Sequence, residues 1–274
     1  TTSSLVNQQS RRSIRESRGL PIVTFVLIMV AWEALVLIVK PEPWLIPAPG
    51  NVLFALYNGF AMDPRSTGAY YIHVLTTLQE ALSGWAIGSV LGIVLGTVIS
   101  QSKIVERMLL PYINMSQTIP KIALAPLFLV WFGIGVESKI VLVITSAFFP
   151  TFLNSLVAFK STEQDMLDFM RSLGATRLEV VRRILIPNAV PMIFAGLELA
   201  LLHSFLGAVA GEFVGARAGV GVLLLTASHT LDTAGIFALL IILATLGWLL
   251  DSGLLFVRRK MLHWSPLERG QVTV

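Results

Sequence analysis

The 274-residue sequence has no cysteine, which excludes a disulfide framework and any thiolate-bound metal while leaving the redox compartment open. Charge is scarce as well. Only 13% of residues are Asp, Glu, Lys or Arg, about half the ~25% of an ordinary globular protein, so the composition argues against a soluble domain. The four histidines, His73, His203, His229 and His263, are scattered, and no H-E-x-x-H or other cluster has ligand spacing, so no metal site is expected. No G-x-x-x-x-G-K-[ST] is present, and the GARAGVG stretch at 215–221 lacks the Lys-Ser/Thr pair of a phosphate loop, so the chain cannot by itself cradle a nucleotide. No G-x-S-x-G elbow marks an activated serine. A triad with distant members stays open on spacing alone, but the expectation is a non-catalytic chain whose driving energy comes from elsewhere.

What fills the sequence is oil. Hydrophobic residues make up 55% and the mean hydropathy is +0.77. About 20 helical residues cross a hydrocarbon core of about 30 Å, and six runs approach or exceed that length: 21–39, 74–99, 109–133, 139–159, 188–211 and 233–257. Helices sharing one bilayer need not form separate cores, so an all-α polytopic membrane protein with about six transmembrane helices is expected. Its domains are a tail at 1–20, one transmembrane domain at 21–260 with a long loop at 160–187, and a tail at 261–274. The first run continues through Trp32 and Glu33 without an A-x-A site, which argues for an uncleaved helix over a secretory signal.

The pI of about 9.6 invites a nucleic-acid reading, but the placement of the charges argues against it. With the N-terminus inside, one side receives Arg11, Arg12, Arg15, Arg18, Lys103, Arg107, Lys160, Arg171, Arg177, Arg182, Arg183, Arg258, Arg259, Lys260 and Arg269. The other receives Lys40, Arg65, Lys139 and Arg217. This asymmetry places both termini and the 160–187 loop in the cytoplasm, with the lipid bilayer rather than nucleic acid as the partner of the basic side.

Local patterns then divide the chain. Pro41, Pro43, Pro47 and Pro49 exclude a continuous helix over 41–56, and a short interfacial helix near 50–61 follows. Gly84, Gly88, Gly92 and Gly96 repeat every four residues, a groove for close helix packing within the chain or across a dimer; a flexible gating element is the alternative. The third run is interrupted by Pro120 and Pro126 around Lys121. Irregular backbone survives in a membrane only where protein or a water-filled cavity surrounds it, and a charge at depth marks a pathway or a pair. The region 117–131 is therefore a candidate lining for a translocation route, with Lys121 snorkelling to the interface as the competing reading. Candidate pathway residues are Gln117, Pro120, Lys121, Trp131, Glu198 and His203. For Glu198 and His203 a helix-to-helix hydrogen bond is the competing reading, and Asp251 is placed to reach towards Arg258. A Gly-rich turn and a short helix are expected within 212–234.

Residues 161–173 and 177–186 read as two short helices with a turn at Gly174-Ala175, where glycine takes positive φ without a Cβ penalty. Over 177–186, Leu178, Val180, Val181, Ile184 and Leu185 occupy one arc; Glu179, Arg182 and Arg183 share the other, and Arg177 intrudes on the apolar one. Pro187 and Pro191 mark the return to the membrane. Spacing leaves a docking site and a solvated connector equally open.

The same segment resembles the E-A-A-x-x-x-G … I-x-L-P motif of permease subunits of binding-protein-dependent ABC importers. Asp168, Phe169 and Met170 stand at its first three positions, Gly174 at the glycine, and Ile184, Ile186 and Pro187 at the closing ones; Asp-Phe-Met in place of Glu-Ala-Ala is the departure. WLIPAPGNVL (44–53), IPKIALAPLFLVWFGIGVESKI (119–140) and HWSP (263–266) are similar to segments of the nitrate/sulfonate/taurine branch. The resemblance implies a type I ABC importer permease fold that pairs, as a homodimer or with a sister chain. It implies an inner-membrane location, with two ABC ATPase subunits carrying ATP and Mg on the cytoplasmic side and a substrate-binding protein outside. Residues 160–187 would be the coupling loop, with Asp168, Arg171, Gly174, Ala175, Arg177, Glu179, Arg182, Arg183 and Pro187 as coupling residues. The solute would be small and anionic: nitrate, a sulfonate, taurine or an organic carboxylate. The alternative is an ion-gradient-driven transporter or channel that needs no ATPase.

Overall fold

A computed structural model describes residues 2–42, 44–63, 66–162 and 164–262, with side chains from Leu20 onward apart from Ile22. The HWSP stretch and Arg269 lie outside the described residues, as do Arg65 and the side chains of Arg11, Arg12, Arg15 and Arg18. The chain is all-α in its described residues: α1 (Thr2–Val39), α2 (Pro49–Ala61), α3 (Tyr70–Ser100), α4 (Lys103–Gln117), α5 (Ala125–Phe132), α6 (Val136–Ala158), α7 (Gln164–Ser172), α8 (Arg177–Val180), α9 (Ile186–Gly215), α10 (Val220–His229) and α11 (Thr233–Met261). A 3-10 turn (Lys121–Leu124) precedes α5, and a π turn (Val181–Leu185) joins α8 to α9.

Four helices are long and apolar enough to cross a bilayer: α3, α6, α11 and the continuous α8–α9 stretch. A fifth crossing is split, because α4 and the 121–132 segment meet at 84°. The local chemistry explains the break. Pro120 supplies no N–H to the turn that would continue α4, and its extended backbone (ψ 112°) redirects the chain into the 3-10 turn. In α1 the described residues give an apolar helical stretch over Val23–Val39.

The centre is a bundle of three mutually contacting helices, α3, α6 and α9. Each α3 glycine sits against α6: a Cβ on Gly84 would meet Val143, on Gly88 Ala147 and the Ile144 carbonyl, on Gly92 Thr151 and the Phe148 carbonyl, and on Gly96 Ser155 and the Phe152 carbonyl. Numbers rise together, so α3 and α6 run parallel, with backbones brought close by the absent side chains. On the neighbouring face of α6, and also touching α3, α9 runs antiparallel to both, with Gly196 against Asn154 and Gly211 against Leu142 and Lys139. The indole N–H of Trp85 in α3 donates to the Leu197 carbonyl of α9 (3.1 Å). α11 then packs on α9, and Leu201 and Phe194 cluster with Leu254 and Leu262.

One consequence of this arrangement was not legible in the sequence. At the arginine-poor ends of α3, α6 and α9, Glu80 (1% exposed), Glu212 (1%) and Lys139 (2%) are buried together with Thr77 and His73. Lys139 Nζ donates to the Gly135 carbonyl (3.0 Å) and to the Gly215 carbonyl, closing the end of α9. Glu212 accepts from the Thr77 hydroxyl (2.6 Å) and from the Gly221 N–H (2.6 Å). The Val220 N–H donates to Thr77 Oγ1 (2.9 Å), and the Gly219 N–H donates to His73 Nδ1 (3.0 Å) while His73 Nε2 donates to the Thr67 carbonyl (2.8 Å). These side chains pin the 215–221 loop, where Gly219 has φ +129°, onto α3. Lys139, assigned from sequence only to the arginine-poor side, is thus an internal cap rather than a surface charge.

Candidate functional site

The segment 164–187 forms a helical hairpin. α7 ends in a left-handed glycine, Gly174 at φ +76°. Its N–H donates to the Arg171 carbonyl (2.9 Å), and the next N–H, of Ala175, reaches back to the Met170 carbonyl (3.1 Å). This six-to-one closure satisfies carbonyls that the end of a helix leaves open. Two residues on, α8 opens with a reciprocal cap: the Thr176 hydroxyl accepts from the Glu179 N–H (3.3 Å), and Glu179 accepts from the Thr176 N–H (2.9 Å). The Gly174-Ala175 turn expected from spacing is therefore fixed by a stop and a start signal placed back to back.

The Thr176 N–H and hydroxyl hold the Glu179 carboxyl below its usual value, with Arg183 adding to the same effect. A carboxylate with a lowered folded-state pKa contributes stability above its unfolded pKa and loses it as pH falls through the folded one. Protection of the Thr176 amide from hydrogen exchange should therefore be full at neutral pH and fall only below the ordinary carboxylate range. Glu179→Gln should remove that acid dependence. An unchanged pH profile in the variant would show that the cap does not govern the turn.

Beyond α8 the helix widens. Pro187 has no N–H for the carbonyl four residues back, and the Ile186 N–H bonds instead to Val181, five residues back. The resulting π turn leaves Arg182 and Arg183 exposed while Ile184 is buried. Val180 and Ile184 of the expected apolar arc do face inward (9% and 8% exposed), but Leu178 is 73% exposed. Met166 and Phe169 of α7 and Leu173 just after it are exposed as well. Asp168 pairs with Arg171 (3.0 Å), both exposed, and Arg177 is exposed at the start of α8. The hairpin thus presents exposed apolar side chains and exposed arginines on one short segment.

The pathway candidates are not gathered in one place. Gln117, Pro120, Lys121 and Trp131 follow the split crossing: Lys121 Nζ donates to the Gln117 carbonyl (3.2 Å) and lies 4.9 Å from the Phe149 ring centroid, while Trp131 is 64% exposed and contacts Phe128. Glu198 faces elsewhere. Its carboxylate accepts from Arg258 of α11 at 2.9 and 3.0 Å, the helix-to-helix bond weighed above as the competing reading for Glu198. The exposed His203 bonds within its own helix, to the Leu199 carbonyl (2.7 Å), and not to a neighbouring helix. Sequence reading missed the partner of Glu198 because the two lie 60 residues apart.

Residues 88–263 match the family model described as binding-protein-dependent transport system inner membrane component. The chain is 34% identical over 249 residues to the riboflavin transport system permease protein RibX of Chloroflexus aurantiacus, covering 90% of each. It is 31% identical to the formylaminopyrimidine transport permease protein ThiX of Halalkalibacterium halodurans, covering 90% of this chain and 96% of that one. Against the taurine transport system permease protein TauC of Escherichia coli it is 28% identical, covering 89% of each. Among solved structures, an inward-facing conformation of the MetNI methionine ABC transporter matches the fold with a TM-score of 0.56 and 20% identity, over 76% of this chain and 96% of that one. With the family model covering 176 of 274 residues and relatives matched nearly end to end, the chain belongs to the inner-membrane components of binding-protein-dependent transport systems, the permease subunits of ABC importers.

Proposed function

We propose that this permease works as one of a pair, on two ABC ATPase subunits that carry ATP and Mg, and receives its solute from an external binding protein. In this reading the arginine-rich side is cytoplasmic, both termini lie there, and α7–α8 is the coupling element seated in an ATPase groove. One observation carries it: a hairpin on which Met166, Phe169, Leu173 and Leu178 are all exposed, in the same short segment as exposed Arg171, Arg177, Arg182 and Arg183. Exposed apolar side chains on a polar face are characteristic of a surface that another protein covers. Asp168, Gly174, Ala175, Glu179 and Pro187 shape that surface. ATP-driven approach of the ATPases biases the transmembrane helices between two states through it.

Gly174→Trp tests the docking. At φ +76° any L side chain is disfavoured, and no atom lies within 4 Å of where a Cβ would stand, so the ring would project from the hairpin tip into the docking space. Co-purification of the ATPase should be lost while the permease remains monodisperse on gel filtration. An intact complex would overturn the docking surface. Uptake by the reconstituted complex should also stop without ATP, whereas gradient-driven uptake by the lone chain would favour a different class of transporter.

For the solute, Lys121 beside the split crossing favours a small anion of the nitrate, sulfonate, taurine or carboxylate class. Two relatives at 34% and 31% identity are named for riboflavin and formylaminopyrimidine transport, which favours a nitrogen heterocycle as the second reading. Lys121→Ala should lower uptake of an anionic solute with assembly unchanged; equal uptake would assign Lys121 to anchoring on Phe149.

A further inference from the structure

The hairpin stands on a base that is tied to two other elements. Its entry segment leaves α6 at Ala158, and there Lys160 forms an ion pair with Glu106 in the first turn of α4. Two residues on, Thr162 accepts from the Asn188 side chain at the start of α9 (3.1 Å). Glu106 is only 15% exposed, against 39% for Lys160. Lys103 and Arg107 neighbour Glu106 on its own helix, yet its partner is the base of the hairpin.

α4 is thinly seated. None of its residues is fully buried, and its contact with α6 runs through Leu110 and Ile113, packed on a cluster of Ile99, Phe152 and Leu156. At the far end of the segment Lys121 lies over the Phe149 ring. A helix with so little core of its own takes its position from its end contacts. At one end that contact is the hairpin base; at the other α4 runs into the 84° break and the split crossing.

We infer that the Lys160–Glu106 pair is a positioning linkage through which movement of the hairpin is delivered to α4 and thence to the break at 118–120. The inference rests on the coupling reading above and adds a route to it. The Thr162–Asn188 contact ties the entry of the hairpin to the start of α9, so the base moves as one piece with α4 and α9. α4 stays helical from Lys103 to Gln117 although Pro111, between Glu106 and the break, removes one backbone bond, and displacement at Glu106 travels along it to the break.

The chain has no cysteine, so the linkage can be tested covalently without background. In the complete transporter, reconstituted with its ATPase and binding protein, Lys160→Glu and Glu106→Lys should each lower solute transported per ATP hydrolysed by about fivefold or more, the low end of typical inter-site coupling. The double exchange should recover to within about twofold of wild type, because contacting residues act non-additively. Glu106→Cys/Lys160→Cys should transport as poorly as the single variants when reduced, and joining the two cysteines through a disulfide-containing crosslinker that spans the former side chains should recover transport per ATP, since the covalent tie replaces the ion pair. The inference is overturned if the charge reversals leave the ratio unchanged, if the double exchange is no better than either single variant while all variants retain the ATPase, or if the crosslink leaves transport per ATP at its reduced value. A wild-type complex whose uptake ignores ATP would sink the coupling reading itself, a result distinguishable from any of these.

Discussion

Gly92→Leu should yield no monodisperse permease from detergent extracts. A Cβ at this position would overlap Thr151 Oγ1 and lie 2.7 Å from the Phe148 carbonyl and 2.9 Å from the Phe152 N. Two of the three are backbone, so no rotamer change relieves them. Overpacking a core typically costs about 1–3 kcal/mol when side chains can shift; here the helices themselves must separate, and Gly84, Gly88 and Gly96 would lose contact with them. Gly253→Leu on α11 is the matched control, since nothing lies within 4 Å of a Cβ there, and it should extract like wild type. If Gly92→Leu behaves as its control does, the α3–α6 interface is not held by close backbone approach.

The second large effect is expected at Glu212. Glu212→Ala would remove the acceptor for the Thr77 hydroxyl and the Gly221 N–H and strip Lys139 of a neighbouring carboxylate, all in a buried region. Removing one partner from a buried charged network typically costs about 3–5 kcal/mol, because the remaining groups stay desolvated and unpaired. A fall in the thermal midpoint on the order of 10 °C should accompany it for a chain of this size. Glu212→Gln retains an acceptor and should lose much less. Parity between the two variants would mean that the network contributes packing rather than hydrogen bonding. The arginine-rich hairpin is distant in the fold, so ATPase association should survive in whatever fraction remains folded.

These two sites show what one-dimensional reading can and cannot reach. The glycine repeat was legible because its signal is periodic: four residues is close to one helical turn, and a stripe without side chains has few uses besides close packing. The broken crossing was legible because proline acts on its own backbone. The turn at Gly174 was legible for the same local reason. Even there the edges moved, since the apolar run beginning at 109 enters a helix that starts at Lys103 behind the Ser102 cap. The polar network was not legible, because Thr77 and Glu212 are separated by 135 residues. Pattern gave Lys139 only a side of the membrane; which charges are internal depends on how three helices are stacked. Glu198 and Arg258 fail for the same reason, each looking in sequence like an isolated charge near apolar residues. The resemblance in the 168–187 segment supplied the family, but the exposure of Leu178 depends on how the hairpin folds back on the spans.

The π turn at 181–185 has an implication for how such a hairpin could vary. A π turn holds one residue more than an α-helical path of the same length, and the helix accommodates it here without breaking. Deleting a single residue there would restore four-residue pairing and rotate everything on its N-terminal side by about 100° relative to α9. The exposed apolar side chains of α7–α8 would then point a quarter-turn or more away from their present direction. The bearing of the hairpin is therefore set by chain length at one place, independently of which side chains decorate it, and sequence drift on its surface can proceed while that count is kept.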